Sequence, residues 1–441
     1  MPARSRLLVA AVTAAACLGV QALSSSPASA ADEVVSRGVT IPGFYNPPTD
    51  LPSADGTLIR SEALTLALSL PGLDGPLPGT ATRLMYKSTD SGGQPVAVTG
   101  AYIEPTAAWR GGGARPLVVV APGTMGQGDQ CAASMGLEHP LTVNGQTVSV
   151  GYEDLAIYRL LAKGIAVVVT DYAGLGATDR LHTYVNRVDE GHAVLDAARA
   201  ARSVGGASVT KASRVGLFGY SQGGGATAAA AELQASYAPD VTLAGTYAGA
   251  PPADLTSVTK AIDGSELAGA LGWSLNGFLQ SDPALKPIAE AHLNAAGKAA
   301  LADLSTMCVG DAIFGYAYSK STKWTTDGRS ISDIIADTPA LQSFLDGQRI
   351  GTLEPSGPVR IATGVSDNLV PHAQARQLAV DWCHKGGDIT YKAVALPNLV
   401  SALLNHFAPL LTDQSDAIGW LADRLAGRTA TSNCSSMPVQ P

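Results

Sequence analysis

Six short runs rich in Val, Ile, Leu and other apolar residues, at 116–121, 166–170, 215–218, 241–247, 359–363 and 390–395, are separated by segments with helical spacing. A strand that is apolar along its whole length, rather than at alternate positions, buries both faces. Such runs, spaced by helices such as 153–163 and 190–203, predict an α/β fold: a mostly parallel, doubly wound sheet with helices on both sides. Upstream, 82–87 and 95–103 flank Asp90-Ser91-Gly92-Gly93 and read as an antiparallel hairpin.

The alternation stops from 252 to 345, where the chain looks mainly helical. Leu267, Leu271, Leu275, Phe278 and Leu279 fall on one helical stripe. An insertion between two strands is the simplest reading, and over the working edge of a sheet it acts as a cap. Leu275 and Phe278 are then candidate substrate-binding residues, against the alternative that the stripe is core packing. The expected organisation is a leader at 1–30, a sheet core at 31–251 and 346–441, and a helical cap or lid at 252–345.

The leader carries Arg4 and Arg6, an apolar stretch over 7–20, and Ala28-Ser29-Ala30 as a small-residue cleavage site, the pattern of a secretory signal peptide cleaved near Ala30. A rival reading is lipidation at Cys17, but Ala14-Ala15-Ala16 lacks the usual branched residue. The expected location is secreted. Removing the leader takes the formal charge from −8 to −10, and no Lys/Arg run appears, which argues against nucleic acid as a partner. Four cysteines remain, Cys131, Cys308, Cys383 and Cys434, and in an exported chain four cysteines suggest two disulfides. No pair has C-x2-4-C spacing, so no metal is expected, and no cofactor is called for. Free buried thiols are the alternative.

Gly219-Tyr220-Ser221-Gln222-Gly223 matches G-x-S-x-G, a weak pattern by itself in a chain with 48 Gly. Its setting makes it specific: a strand at 215–218 precedes it and a Gly- and Ala-rich helix at 222–236 follows, the order a nucleophile elbow requires. A serine hydroxyl needs a base, and the base an orienting acid. In this strand order the acid and then the histidine follow the serine. Asp367 stands on the loop after the strand at 359–363. His406 follows the last strand and a short loop, and precedes a terminal helix marked by Ile418, Leu421 and Leu425; His384, within the preceding helix, is the alternative base. Acyl transfer also needs donors for an oxyanion: the backbone N–H of Gln222, and a second from Gly123-Thr124-Met125, where Thr124 could add its hydroxyl.

With these residues in place, the sequence resembles the secretory lipase family of α/β-hydrolases, which includes yeast lipase A and many exported actinobacterial lipases and esterases. Tyr86-Lys87-Ser88-Thr89-Asp90, Pro122-Gly123-Thr124 leading to Cys131, Asp171 to Gly176, the elbow, Gly249 to Leu255, and Asp367 with Pro371 carry the likeness. Pro122, Ala133 and Leu404-Asn405 depart from the family's usual His, Pro and polar or Gly residues. The resemblance implies an α/β-hydrolase fold, a Ser221, Asp367 and His406 triad, a lid within 252–345, and disulfides joining Cys131 to Cys308 and Cys383 to Cys434. It implies hydrolysis of acyl glycerols or related lipidic esters, with transient contact with lipid interfaces. A serine peptidase on the same fold and a catalytically silent cell-surface binding protein are the alternatives.

Overall fold

The computed structural model describes residues 34–69, 78–144 and 146–437; the expected signal peptide lies outside them. Nine strands form one sheet: β1 Leu58–Leu64, β2 Gly79–Thr89, β3 Pro95–Pro105, β4 Leu117–Ala121, β5 Ala166–Ala173, β6 Val215–Tyr220, β7 Leu243–Gly249, β8 Val359–Gly364 and β9 Ile389–Val394. Across the sheet they run β9-β8-β7-β6-β4-β5-β3-β2-β1. Neighbours from β9 to β5 are parallel, and β5, β3, β2 and β1 pair antiparallel. All six apolar runs are the parallel strands, and the early hairpin is β2 and β3.

Nine helices concern the site: α1 Asp154–Ala162, α2 Arg187–Ala201, α3 Gln222–Tyr237, α4 Leu255–Ile262, α5 Ala270–Ser281, α6 Ala295–Leu304, α7 Val309–Tyr316, α8 His372–His384 and α9 Ala402–Leu425. β4 shows why its sequence reads as continuously apolar. Leu117, Val119 and Ala121 pack with α2, α3 and α8 in one core, while Val118 and Val120 pack with α1 and α9 in the other. Each of these Leu and Val side chains contributes roughly 1.5–3 kcal/mol when fully buried. Since β5 lies on one side of β4 and β6 on the other, the strand order reverses there, and a crevice opens beyond the strands' C-terminal ends.

Between β7 and β8 the chain is helical from α4 to Pro339–Gly347. These helices bury their own cluster, with Trp273 and Leu304 at its centre, and it extends to Leu369 and Val370 of the loop after β8 and to Tyr184 before α2. One side of the insertion is tied to the loop after β4. Cys131 and Cys308 form a disulfide, Gln127 N donates to Met307 O (2.9 Å) and Val309 N to Met125 O (2.8 Å). A second disulfide joins Cys383 of α8 to Cys434 near the C-terminus.

Candidate active site

β6 leads into Ser221, and α3 begins at the next residue. So sharp a turn forces Ser221 to φ 59°, ψ −124°, a left-handed backbone rarely held by a residue with a side chain. The positions two residues to either side, 219 and 223, must be glycine. A Cβ on Gly223 would sit 2.0 Å from Ala121 O, and one on Gly219 2.1 Å from Gly223 O. The strained turn is held by Ser221 N donating to Gly249 O (2.9 Å).

Three loop and helix ends converge here. Ser221 Oγ lies 2.8 Å from His406 Nε2, and His406 Nδ1 lies 2.7 Å from Asp367 Oδ2. Asp367 is fixed by its other oxygen, which accepts from Leu369 N (3.1 Å) and Val370 N (3.0 Å). His406 is almost fully buried, and Tyr220 Oη donates to its carbonyl (2.7 Å).

His406 is not in a loop ahead of the terminal helix, as its sequence position suggested; it is the fifth residue of α9. The helix starts early because Ser401 caps it, accepting from Leu404 N (3.2 Å). Asn405 meanwhile turns its amide back onto Leu399 and Asn398, which shapes the preceding loop. His384, the alternative base, is exposed at the end of α8.

Gly123 does not offer a free donor: its N–H already donates to Glu153 Oε1 (2.8 Å). Burial pushes the Glu153 carboxyl up to about 7. In the same loop the Thr124 hydroxyl pairs with Tyr184 Oη (2.7 Å), and the Thr124 carbonyl accepts from Tyr152 Oη (3.0 Å). Gln222, the first residue of α3, has a backbone N–H with no partner in its own helix.

The Gln222 side chain enters a buried network that no local sequence pattern indicated. Its Nε2 donates to Glu190 Oε1 (2.7 Å) and to His182 Nε2 (3.0 Å). His182 Nδ1 donates to Ala173 O (3.0 Å), so Nε2 is the bare nitrogen. Burial lowers His182 to about 4 and raises Glu190 to about 8. Burial thus disfavours the charged form of both groups.

Ser221, Gln222 and His406 also line a small cavity of about 30 Å³, walled by α4, α5 and the loop after β8. From α5 it receives Ala270, Ser274 and Phe278, spaced at four-residue intervals. All of Leu267, Leu271, Leu275 and Phe278 are buried in the cluster of the insertion, but only Leu267 and Phe278 join this wall. Leu275, an expected substrate-binding residue, follows Ser274 and is absent from this wall, because one residue along a helix rotates a side chain by about 100°. Two hydroxyls of the helical wall are spent within their own helices: Ser274 Oγ donates to Ala270 O (2.9 Å) and Thr259 Oγ1 to Leu255 O (2.6 Å). A larger cleft of about 930 Å³ lies elsewhere, beside Arg199, Arg202 and Asp240, and none of the site residues lines it. Among the described residues no cluster of His, Cys, Asp and Glu is arranged to hold a metal.

Comparisons with known proteins converge on one group. The secretory lipase family profile matches residues 137–433. A probable inactive lipase of Mycobacterium tuberculosis is 30% identical over 88% of this chain and 82% of its own length. Lipase 10 of Candida albicans is 26% identical over 90% and 84%. Among solved structures, Candida antarctica lipase A in its closed state superposes with a TM-score of 0.74 at 21% identity, covering 89% of this chain and 88% of that one. The fold is that of the α/β-hydrolases.

Proposed function

The chain belongs to the secretory lipase family, and from that premise we propose that it hydrolyses lipidic carboxylic esters through an acyl-enzyme on Ser221. The observation that carries this reading is the unbroken hydrogen-bonded line from Ser221 Oγ through His406 to Asp367, opening on an apolar cavity. Ser221 Oγ attacks the ester carbonyl carbon while His406 Nε2 takes its proton, and Asp367 holds the imidazole by Nδ1. The oxyanion forms against the Gln222 N–H, at the positive end of α3, with Thr124 as the second donor. Collapse breaks the C–O bond, and the alcohol leaves with the proton from Nε2. Water, deprotonated by the same nitrogen, then releases the acid.

The helical insertion acts as a cap in this proposal. A volume of about 30 Å³ holds one or two waters rather than an acyl chain, so the described conformation is closed and the cap wall must give way to substrate. Export follows from the leader at 1–30, and two disulfides suit an oxidising compartment.

The name of the Mycobacterium tuberculosis relative favours a second reading, a silent binding protein. Against it, Ser221, His406 and Asp367 stand here in one hydrogen-bonded line. Purified protein assayed on nitrophenyl esters of graded length, triacylglycerol emulsions and peptide anilides separates the readings. Ester hydrolysis without anilide cleavage is expected. Anilide cleavage would indicate a peptidase, and no turnover of any substrate a silent protein.

A further inference from the structure

Glu190, in the first turn of α2, is buried. Its Oε1 accepts from Gln222 Nε2 (2.7 Å) and also from Val185 N (2.9 Å). Gln222 and Val185 both line the cavity beside Ser221 and His406, yet they belong to different stretches of chain, Gln222 to the start of α3 and Val185 to the turn ahead of α2. One carboxyl oxygen therefore joins two walls of the site.

Each arm of this clamp holds something that the local chain does not hold by itself. Val185 has φ 55°, a left-handed backbone that a β-branched residue keeps only under constraint. Asn186, the next residue, caps α2 by accepting from Val188 N (3.0 Å) and Asp189 N (3.2 Å), which leaves the Val185 N–H to Glu190. On the other side of Val185 stands Tyr184. Its ring meets Trp273 of α5 edge to face with centroids 5.8 Å apart, and its Oη pairs with Thr124 Oγ1 (2.7 Å). Releasing the turn at Val185 displaces Tyr184, and with it the partner of the Thr124 hydroxyl.

The Gln222 amide can be seated in one sense only. His182 Nδ1 donates to Ala173 O, so His182 Nε2 is an acceptor and must face the amide nitrogen. Both amide hydrogens are then used, one on His182 and one on Glu190, and the amide cannot turn over without losing both. It hangs from the first residue of α3, so fixing it fixes the backbone N–H of the same residue.

Resting on the ester-hydrolase reading above, we infer that Glu190 is a positioning residue for oxyanion stabilisation, aiming the Gln222 N–H through the side-chain amide and the Thr124 hydroxyl through Val185 and Tyr184. It acts as an acceptor, so a carbonyl oxygen in the same place serves equally. Donors aimed at developing charge act in the transition state rather than on bound substrate, so losing their aim lowers kcat and spares KM.

The test is steady-state hydrolysis of nitrophenyl butyrate by the full chain, with melting temperature measured beside it. Glu190→Gln keeps the acceptor and should stay close to wild type in kcat. Glu190→Met, of like size but without the carboxyl oxygen, should lower kcat by roughly 10²-fold, the lower range for loss of one oxyanion donor, with KM little changed. Gln222→Met opens the same bond from its other end while keeping the backbone N–H, and should act likewise; the double variant should lose less than the product of the two. Wild-type kcat in a folded Glu190→Met enzyme would overturn the inference, as would a Glu190→Gln enzyme as slow as Glu190→Met, or losses that multiply in full. Where Glu190→Met does not fold, Gln222→Met decides, and an unchanged kcat there overturns the inference too. Absence of ester turnover in the wild type would instead remove the reading on which it rests.

Discussion

Phe278→Ala tests how the cavity controls substrate choice. Phe278 is buried on α5, packs against Phe344 with ring centroids 5.0 Å apart, and forms part of the wall beside Ser221. Removing the ring costs about 3–5 kcal/mol of stability, since transfer energy is lost and a hole is left. The hole adjoins a space of only about 30 Å³, so an acyl chain can occupy it. Each further methylene buried is worth about 0.8 kcal/mol, or roughly fourfold in kcat/KM, and two make roughly fifteenfold. The assay is kcat/KM across nitrophenyl esters from acetate to palmitate, with melting temperature measured alongside. The optimum should move to longer acyl groups while acetate hydrolysis changes little. Leu275→Ala is the control: that side chain is buried outside the cavity wall, so the change should cost about 2–5 kcal/mol of stability and leave the length profile in place. A uniform loss at all lengths in Phe278→Ala, or an equal shift in Leu275→Ala, would refute the reasoning.

His406→Ala should lower kcat for ester hydrolysis by about 10⁴-fold or more, and Asp367→Asn by on the order of 10³–10⁴-fold, while His384→Ala should leave it unchanged. Steady-state kinetics of the three variants would decide the base. Glu190 is raised from 4.5 to about 8 by burial, so the folded state holds a proton that the unfolded state has released, and its contribution to stability falls as pH rises from about 4.5 to 8. Glu190→Gln should therefore flatten the loss of melting temperature between pH 5 and pH 8, and an unchanged slope would contradict the assignment. Replacing Cys383 and Cys434 together by Ser should lower stability by at most about 4 kcal/mol, the loop-entropy value for a 51-residue separation, with activity kept at low temperature. Replacing Cys131 and Cys308 should also lower activity at that temperature, since that bond ties the loop holding Thr124 to α7; equal activity losses in the two pairs would count against this.

The parallel strands were legible because burial on both faces leaves a signature at every position, as β4 illustrates. The elbow was legible for a related reason: the glycines at 219 and 223 are required by backbone approaches of about 2 Å, so geometry is written directly into residue type. Features set by helix phase or by distant contacts were not. The start of α9 depends on the Ser401 cap and moved His406 into a helix. The phase of α5 turned Leu275 from the cavity, although it shares a stripe with Phe278 in the sequence. The Gly123 N–H, a candidate oxyanion donor by sequence, is taken by Glu153 thirty residues on. His182 and Glu190 reach Gln222 across 40 and 32 residues, and nothing near them in the chain points to that meeting.

The central claim, that Ser221 is a nucleophile activated by His406, is tested most directly by treating the protein with a fluorophosphonate and mapping the adduct by peptide mass spectrometry. A single adduct on the peptide containing Ser221, lost in Ser221→Ala and greatly slowed in His406→Ala, is the predicted result. An unlabelled wild-type protein, an adduct on another serine, or ester hydrolysis persisting in Ser221→Ala would contradict it.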